Sequence, residues 1–253
     1  MNKKTCLITG GAGFLGKKYC DFFLKKNYRV VCVDKNISLL NKMKKNRKLF
    51  LEQIDVTNVK EVKQLYAKLK KKFKIDVLVN NAAIDAIPNQ KTGNLNKYPN
   101  IEDWDKEFNV SLKGSYLMIQ FFGEDMYKRR KGSIINIGSD LSIIAPNQKI
   151  YRSSYKNYIK PVTYSVIKHG MLGLTKYYAS LYASKNVRVN LLSPGPIHNK
   201  QKSNLVAELK NVIPMNRLGK TNDITGVLYF LASEESSYIT GQNIVVDGGR
   251  TII

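Results

Sequence analysis

At 253 residues and 43% hydrophobic composition, the chain is long enough for one substantial α/β core. No apolar run approaches the ~18 residues of a membrane span, and the one after Lys4 is too short for a secretory leader, so a cytoplasmic protein is expected. Lys and Arg outnumber Asp and Glu by 42 to 19, for a net charge of +23; the lysines are scattered over nearly every helical segment, which suits attraction of an anionic metabolite and argues against a dedicated nucleic-acid surface.

Residues 5–9 read as a short apolar strand running into Gly10-Gly11-Ala12-Gly13-Phe14-Leu15-Gly16. A helix follows, with Phe14, Leu15, Tyr19, Phe22 and Phe23 as its apolar face. Glycines in such a turn let the backbone approach a pyrophosphate, and the helix N-terminus offers its free N–H groups to the anion. The next strand, Arg29 to Asp34, ends in an acid 18 residues after Gly16. Asp34 is placed either to accept hydrogen bonds from the adenosine ribose, repelling a 2′-phosphate, or to cap a helix starting near Ser38. The strand–glycine–helix setting favours the ribose and hence NAD(H), a preference that Lys35 softens. Strand 49–54 leads to Asp55-Val56-Thr57 and a Lys-rich helix over 58–72. Asp55 serves either as an acceptor for the adenine amino group or as a turn residue. Strand 75–79 ends in Asn80-Asn81-Ala82-Ala83, whose small residues let a ribose or a flat ring come close. Strands alternating with helices predict a parallel, doubly wound sheet.

Residues 85–100 read as a loop. A helix is expected near Ile101 and a longer one near Asp105, with Asn109 set among apolar positions. Asn109 is either a satisfied buried amide or, on a helix facing the cofactor, a group that positions water. Strand 132–138 presents Ser139 at its carboxyl end, where open parallel sheets bind ligands. After a long polar-aromatic loop, a helix over 163–185 opens with Tyr164 and Lys168, four apart and therefore on one face. A cation beside a phenol favours phenolate and draws its pKa from about 10 toward neutrality. The same spacing occurs at Tyr66/Lys70 and Tyr127/Lys131, so context must decide. Val162, Val166, Leu172, Leu174 and Leu181 alternate with Ser165, Gly170, Gly173, Ala179 and Ala183, a pattern suited to close packing on the sheet or on a partner subunit. A sixth strand, 186–192, breaks at Ser193-Pro194-Gly195-Pro196-Ile197-His198. Helices over 201–212 and 221–233 and a seventh strand within 242–249 complete the pattern. Cys6, Cys20 and Cys32 are odd in number, widely spaced and without a nearby His, so neither a metal site nor a disulfide framework is suggested.

Taken in order, the glycine turn 10–16, Asp55-Val56-Thr57, Asn80 to Ala83, Asn109, Ser139, Tyr164-x-x-x-Lys168, Pro194-Gly195 and Val246-Asp247-Gly248-Gly249 resemble the short-chain dehydrogenase/reductase family over essentially the whole chain. The likeness is to its compact single-domain branch. It implies one α/β domain over 1–253, with a seven-stranded Rossmann-type sheet and helices on both faces. It also implies hydride transfer between NAD(H) and a secondary alcohol or ketone, in a homodimer or homotetramer. By this likeness Tyr164 is the acid/base, Ser139 orients the substrate oxygen, Lys168 holds the nicotinamide ribose, and Asn109 supports a proton-relay water. Cofactor contacts are implied for Gly10, Gly13, Phe14, Leu15, Gly16, Asp34, Asp55, Val56, Asn81, Ala82, Ala83, Tyr164, Lys168, Pro194, Gly195 and Ile197.

Two features depart from the family pattern. The glycines at 10, 13 and 16 have the spacing of the larger, sugar-nucleotide-modifying branch. Ser139 and Tyr164 lie 25 residues apart, more than the usual gap. The added loop, 147–160, carries Lys149, Tyr151, Arg152, Tyr155, Lys156, Tyr158 and Lys160. Cations interleaved with tyrosines suit an anionic or polyhydroxylated substrate, with Ser139, Arg152, Lys156, Tyr164 and His198 as expected contacts. A solvated surface loop or a subunit contact is the competing reading of this insertion. Substrate loops are expected at about 85–100, 147–160 and 194–212. The insertion, its Pro161-x-x-Tyr164 entry and Tyr238-Ile-Thr-Gly-Gln242 resemble bacterial oxidoreductases of flagellin-modification and surface-glycan gene clusters. Two further readings are an NADPH-dependent 3-oxoacyl-carrier-protein reductase, against which Asp34 argues, and a catalytically idle NAD-binding or nucleic-acid-binding protein, against which the four intact catalytic positions argue.

Overall fold

Short runs rich in Val, Ile and Leu form one parallel sheet of seven strands: β1 (Thr5–Thr9), β2 (Arg29–Asp34), β3 (Leu49–Gln53), β4 (Val77–Asn80), β5 (Gly132–Ile137), β6 (Val187–Pro194) and β7 (Asn243–Val246). The computed structural model describes residues 3–84, 99–155 and 158–253, so the expected loop at 85–100 lies mostly outside the described residues. The strand order is β3-β2-β1-β4-β5-β6-β7. Strands β1, β4 and β6 are buried along their whole length, because helices cover both faces and no polar alternation is needed. At the edge, β3 alternates and leaves Leu51 exposed.

On one face, α1 (Phe14–Lys25) and α10 (Thr221–Ala232) bury Tyr19, Cys20, Phe23, Ile224, Leu228 and Leu231 against the sheet. On the other, α3 (Val59–Leu69) and α8 (Val162–Tyr182) contribute Val62, Leu65, Leu69, Tyr178 and Tyr182, around Met118 and Phe122. Each fully buried Val, Leu, Ile, Met or Phe among them contributes about 1.5–3 kcal/mol by leaving water. A short helix, α2 (Ile37–Leu40), follows β2 and is capped by Asn36, whose side chain accepts the Leu39 N–H. Asp34 is therefore not that helix's cap.

Three expectations about helices need correction. The two helices expected near Ile101 and Asp105 are one uninterrupted run: α4 (Ile101–Phe108), a π-helical segment Asn109–Lys113, α5 (Gly114–Met118), a second π-helical segment Ile119–Gly123, and α6 (Glu124–Arg129). Asn100 caps its start by accepting the Asp103 N–H at 2.7 Å, and right-handed backbone at every junction leaves no reason to break. The expected loop 147–160 contains a helix, α7 (Gln148–Ser154), capped by Asn147. It packs on α9 (Ser203–Asn211) through Ile150, Leu205, Leu209, Ile213 and Leu218, a separate small core beside the carboxyl edge of the sheet. Finally, Phe14 of α1 is exposed rather than part of that helix's buried face. Of the two packings expected for Val162, Val166 and Leu181 of α8, they do not make the one on the sheet, since the buried face of α8 is drawn from Ile167, Lys168, Met171, Thr175 and Tyr178.

Buried polar groups register α8 on the sheet. Asn80 of β4 donates to Asn136 of β5 (2.8 Å), which donates to Thr175 of α8 (2.9 Å). These two buried bonds allow little slippage, because breaking either link strands a further polar group.

Candidate active site

The carboxyl ends of the strands surround one cleft of about 710 Å³, a volume within the range of small-molecule and cofactor sites. It begins at Gly10 after β1 and Asp34 at the end of β2, passes Asn81 after β4 and Ser139 after β5, and reaches Pro194 of β6 and Arg250 beyond β7. The strand order reverses beside β1, between β2 and β4, which is where open parallel sheets place a dinucleotide.

The glycine turn is shaped for close approach. Gly10 has φ +59°, a conformation that L side chains rarely adopt, and a Cβ on Gly16 would lie 2.1 Å from the Gly10 carbonyl oxygen. Asn81 fastens this turn to β4 by donating from Nδ2 to the carbonyls of Thr9 (3.0 Å) and Gly10 (3.1 Å). The Asp34 carboxylate accepts the backbone N–H groups of Ala12 (3.1 Å) and Asn36 (3.0 Å). A carboxylate offers about four acceptor positions, which leaves capacity for ribose hydroxyls. Asp55 accepts from both the backbone N–H and the hydroxyl of Thr57 (2.9 and 2.8 Å), the arrangement of a turn residue. Burial opposes its charge, but those two bonds and the nearby Lys35 outweigh burial and hold its pKa below the ordinary value. All the residues expected to touch a dinucleotide line this cleft, so the chain's own groups fit such a cofactor.

At the far end, α8 carries Tyr164 and Lys168 into the cleft one turn apart. Lys168 is 6% exposed and donates from Nζ to the carbonyl of Ile137 at the end of β5 (3.0 Å), with Nζ 5.5 Å from the Tyr164 ring centroid. Ser139 lies just past that strand end. Its hydroxyl donates to Asp140 Oδ1 at 2.8 Å and accepts the Leu141 N–H at 3.2 Å. Asp140 Oδ2 in turn pairs with Arg250, both side chains being buried. A carboxylate can only accept, so the Ser139 hydroxyl proton points at Asp140.

Some expected residues lie elsewhere. Asn109 is half-buried at the first position of the π-helical segment, and the cleft wall reaches Val110 instead. Arg152 is exposed and off the cleft, because α7 turns Ile150 and Ser154 inward at helical spacing. His198 is exposed as well, its backbone N–H bonded to Gly219 O while its side chain lies outside the lining. Lys156 falls outside the described residues. In their place stands Lys160, 8% exposed, lining the cleft with Nζ 3.9 Å from the Tyr164 ring centroid. Nothing in the local pattern distinguishes Lys160 from its neighbours except the proline that follows. Asp140 and Arg250 give no sequence signal at all, being 110 residues apart.

Comparison with known proteins gives consistent matches. A family model described as enoyl-(acyl carrier protein) reductase matches residues 13–251. The chain is 35% identical to a 3-oxoacyl-[acyl-carrier-protein] reductase of Thermotoga maritima, over 98% of each chain. It is 32% identical to an NAD-dependent glycerol dehydrogenase of Listeria innocua, over 98% of this chain and 94% of that one. Among solved structures, a short-chain dehydrogenase of Leptospira borgpetersenii with bound NAD+ superposes with a TM-score of 0.87 at 30% identity, covering 99% of this chain and 94% of that chain.

Proposed function

Because the chain belongs to the short-chain dehydrogenase/reductase family of oxidoreductases, we propose that it is an NAD(H)-dependent enzyme acting on a secondary alcohol or ketone of an anionic, sugar-like metabolite in surface-glycan biosynthesis. The observation that carries this reading is a single cleft joining Asp34 and the glycine turn to Ser139, Tyr164 and Lys168. A nicotinamide cofactor held along the glycine turn, Asp34 and Lys168 would accept or supply the hydride. Tyr164 takes the hydroxyl proton from the alcohol, or returns it to the ketone oxygen, as a general acid/base. Lys168, anchored on β5, keeps a positive charge near the phenol and holds the nicotinamide ribose, while Ser139 orients the substrate oxygen. Asn109 lies outside the cleft lining, so a proton-relay role for it would run through the helix packed on α8 rather than through contact with the substrate. Near-attack geometry of this kind is easier to keep on strand ends and a buried helix than on free loops.

NAD(H) is favoured by Asp34, a carboxylate lining the cleft at the end of β2 that would accept from ribose hydroxyls and repel a 2′-phosphate. An anionic, hydroxyl-rich substrate is favoured by Tyr151, Tyr155, Lys160, Lys200 and Lys202 along the reacting end, where Asp140 is already bonded to Arg250. In this reading the segments at about 85–100, 147–160 and 194–212 shape the substrate end. The exposed Val162, Val166, Tyr177 and Leu181 of α8 support a homo-oligomer in which a second copy covers them. Among the described residues no helix is long and apolar enough to cross a membrane, and a cytoplasmic location is part of the proposal. A second reading, NADPH-dependent 3-oxoacyl-carrier-protein reduction, is favoured by the name of the Thermotoga relative.

One experiment separates them. NADH and NADPH are titrated against intrinsic fluorescence in the parent and in Tyr164→Phe, and both proteins are assayed for turnover on sugar phosphates and an acyl-carrier-protein substrate. NADH should bind tighter, and Tyr164→Phe should abolish turnover with cofactor affinity nearly intact. A clear NADPH preference would sink the argument from Asp34, and retained turnover would remove Tyr164 from its role.

A further inference from the structure

We infer that Lys160, delivered by the inserted helix α7, is a positioning residue that stabilises the phenolate form of Tyr164. The inference rests on the reading of Tyr164 as the acid/base. Its Nζ lies 3.9 Å from the Tyr164 ring centroid, against 5.5 Å for Lys168 on the same helix as the tyrosine. A cation over an aromatic face is attracted by the ring quadrupole. It is attracted more strongly when the ring carries the delocalised charge of a phenolate, so it favours the ionised form. Lys160 is buried, and water screens the interaction less than it would between surface groups.

The backbone that carries Lys160 is held in place. Gln148, the first residue of α7, clasps the backbone of Lys160 from both sides. Its Oε1 accepts the Lys160 N–H at 2.9 Å, and its Nε2 donates to the Lys160 carbonyl at 3.1 Å. Pro161 follows, and the residue before a proline is held out of the helical region, so Lys160 approaches in extended chain as α8 begins. The small core of Ile150, Leu205 and Leu209 fixes α7 on α9. The residues added between Ser139 and Tyr164 thus set the place of a charge at the tyrosine. Other titratable groups lining this end are Lys168 on α8, Tyr151 and Tyr155 on α7, Lys200 and Lys202 before α9, and the Asp140–Arg250 pair beside Ser139. The one carboxylate among these is paired with Arg250, so it does not cancel the effect of Lys160.

The test needs no substrate. The full-length chain, free of cofactor, is labelled at tyrosine Cζ and titrated by NMR, with the Tyr164 signal assigned by its loss in Tyr164→Phe. Lys160→Met should raise the Tyr164 midpoint by about 1 pH unit, while Lys160→Arg, which keeps the charge, should leave it within a few tenths of the parent. An unchanged midpoint in Lys160→Met, or the same rise in both variants, overturns the inference. Should Lys160→Met fail to fold, Gln148→Ala releases the clasp and is read by the same titration: a raised midpoint supports the inference and an unchanged one overturns it. The two claims fail separately. Turnover retained in Tyr164→Phe removes the acid/base reading whatever the titration shows, and an unmoved midpoint removes Lys160 while leaving that reading intact.

Discussion

Three Tyr-x-x-x-Lys pairs in this chain share a spacing and differ in what surrounds the phenol. Tyr66 has Lys70 at 5.2 Å from its ring, but its hydroxyl bonds Asp125; burial first, then the charge of that carboxylate, push its pKa up. Tyr127 is approached by Lys185, from another element, at 5.5 Å. Around Tyr164 two lysines converge. The i, i+4 rule is therefore legible and insufficient: Tyr66 and Tyr127 are set apart by groups remote in sequence, Asp125 and Lys185, while Tyr164 has a lysine four residues away on either side. Asp140 is the sharper case: adjacent to Ser139, it acquires meaning only from Arg250. Removing one partner of a buried pair leaves an uncompensated charge, so Asp140→Ala and Arg250→Met should each cost about 3–5 kcal/mol. The double variant should cost less than the sum of the two. Urea midpoints for the three variants check this, and strict additivity would mean that the pair contributes no coupling.

Elements were legible wherever a hydrophobic period was strong. The strands came through within a few residues because buried parallel strands are near-continuous apolar runs, and the glycine turn because its residues are required sterically. The helix at 148–154 was hidden, since its own apolar content is little more than Ile150 between polar neighbours and its stability comes from α9. The long run 101–129 was misjudged for the opposite reason: two π-helical segments shift the apolar face without ending the helix. Steric necessity in the glycine turn makes a direct prediction. Gly16→Ala places a methyl against the Gly10 carbonyl and should lower stability by about 1–3 kcal/mol, with clear loss of NADH binding. Gly226→Ala in α10, where an added Cβ meets nothing, should instead be neutral or stabilising by up to about 1 kcal/mol. Denaturant midpoints and an NADH titration on both variants separate the turn from a generic glycine effect.

Across the whole molecule, the first three strands and β4 frame the residues suited to hold a dinucleotide, while β5, α8, β6 and the segment after β7 line the other end of the cleft. Neither part makes a cleft alone. Arg250, which follows the last strand, reaches back to the residue beside Ser139. The three cysteines offer a way to watch the first part in motion. Cys20 Sγ contacts the Gly11 carbonyl at 3.6 Å, and a Cβ on Gly11 would lie 2.7 Å from Cys32 Sγ, so both thiols sit directly beneath the glycine turn. Cys6 is fully buried, and burial, followed by the charge of Asp76, raises its pKa well above the ordinary thiol value. Thiols this protected react only when the turn opens. Alkylation followed by mass spectrometry is then a clock for that opening, and NADH at 100 times its dissociation constant should slow it about 100-fold. If the clock runs at the same rate with and without NADH, the thiols are reached by a movement that leaves the dinucleotide cradle standing.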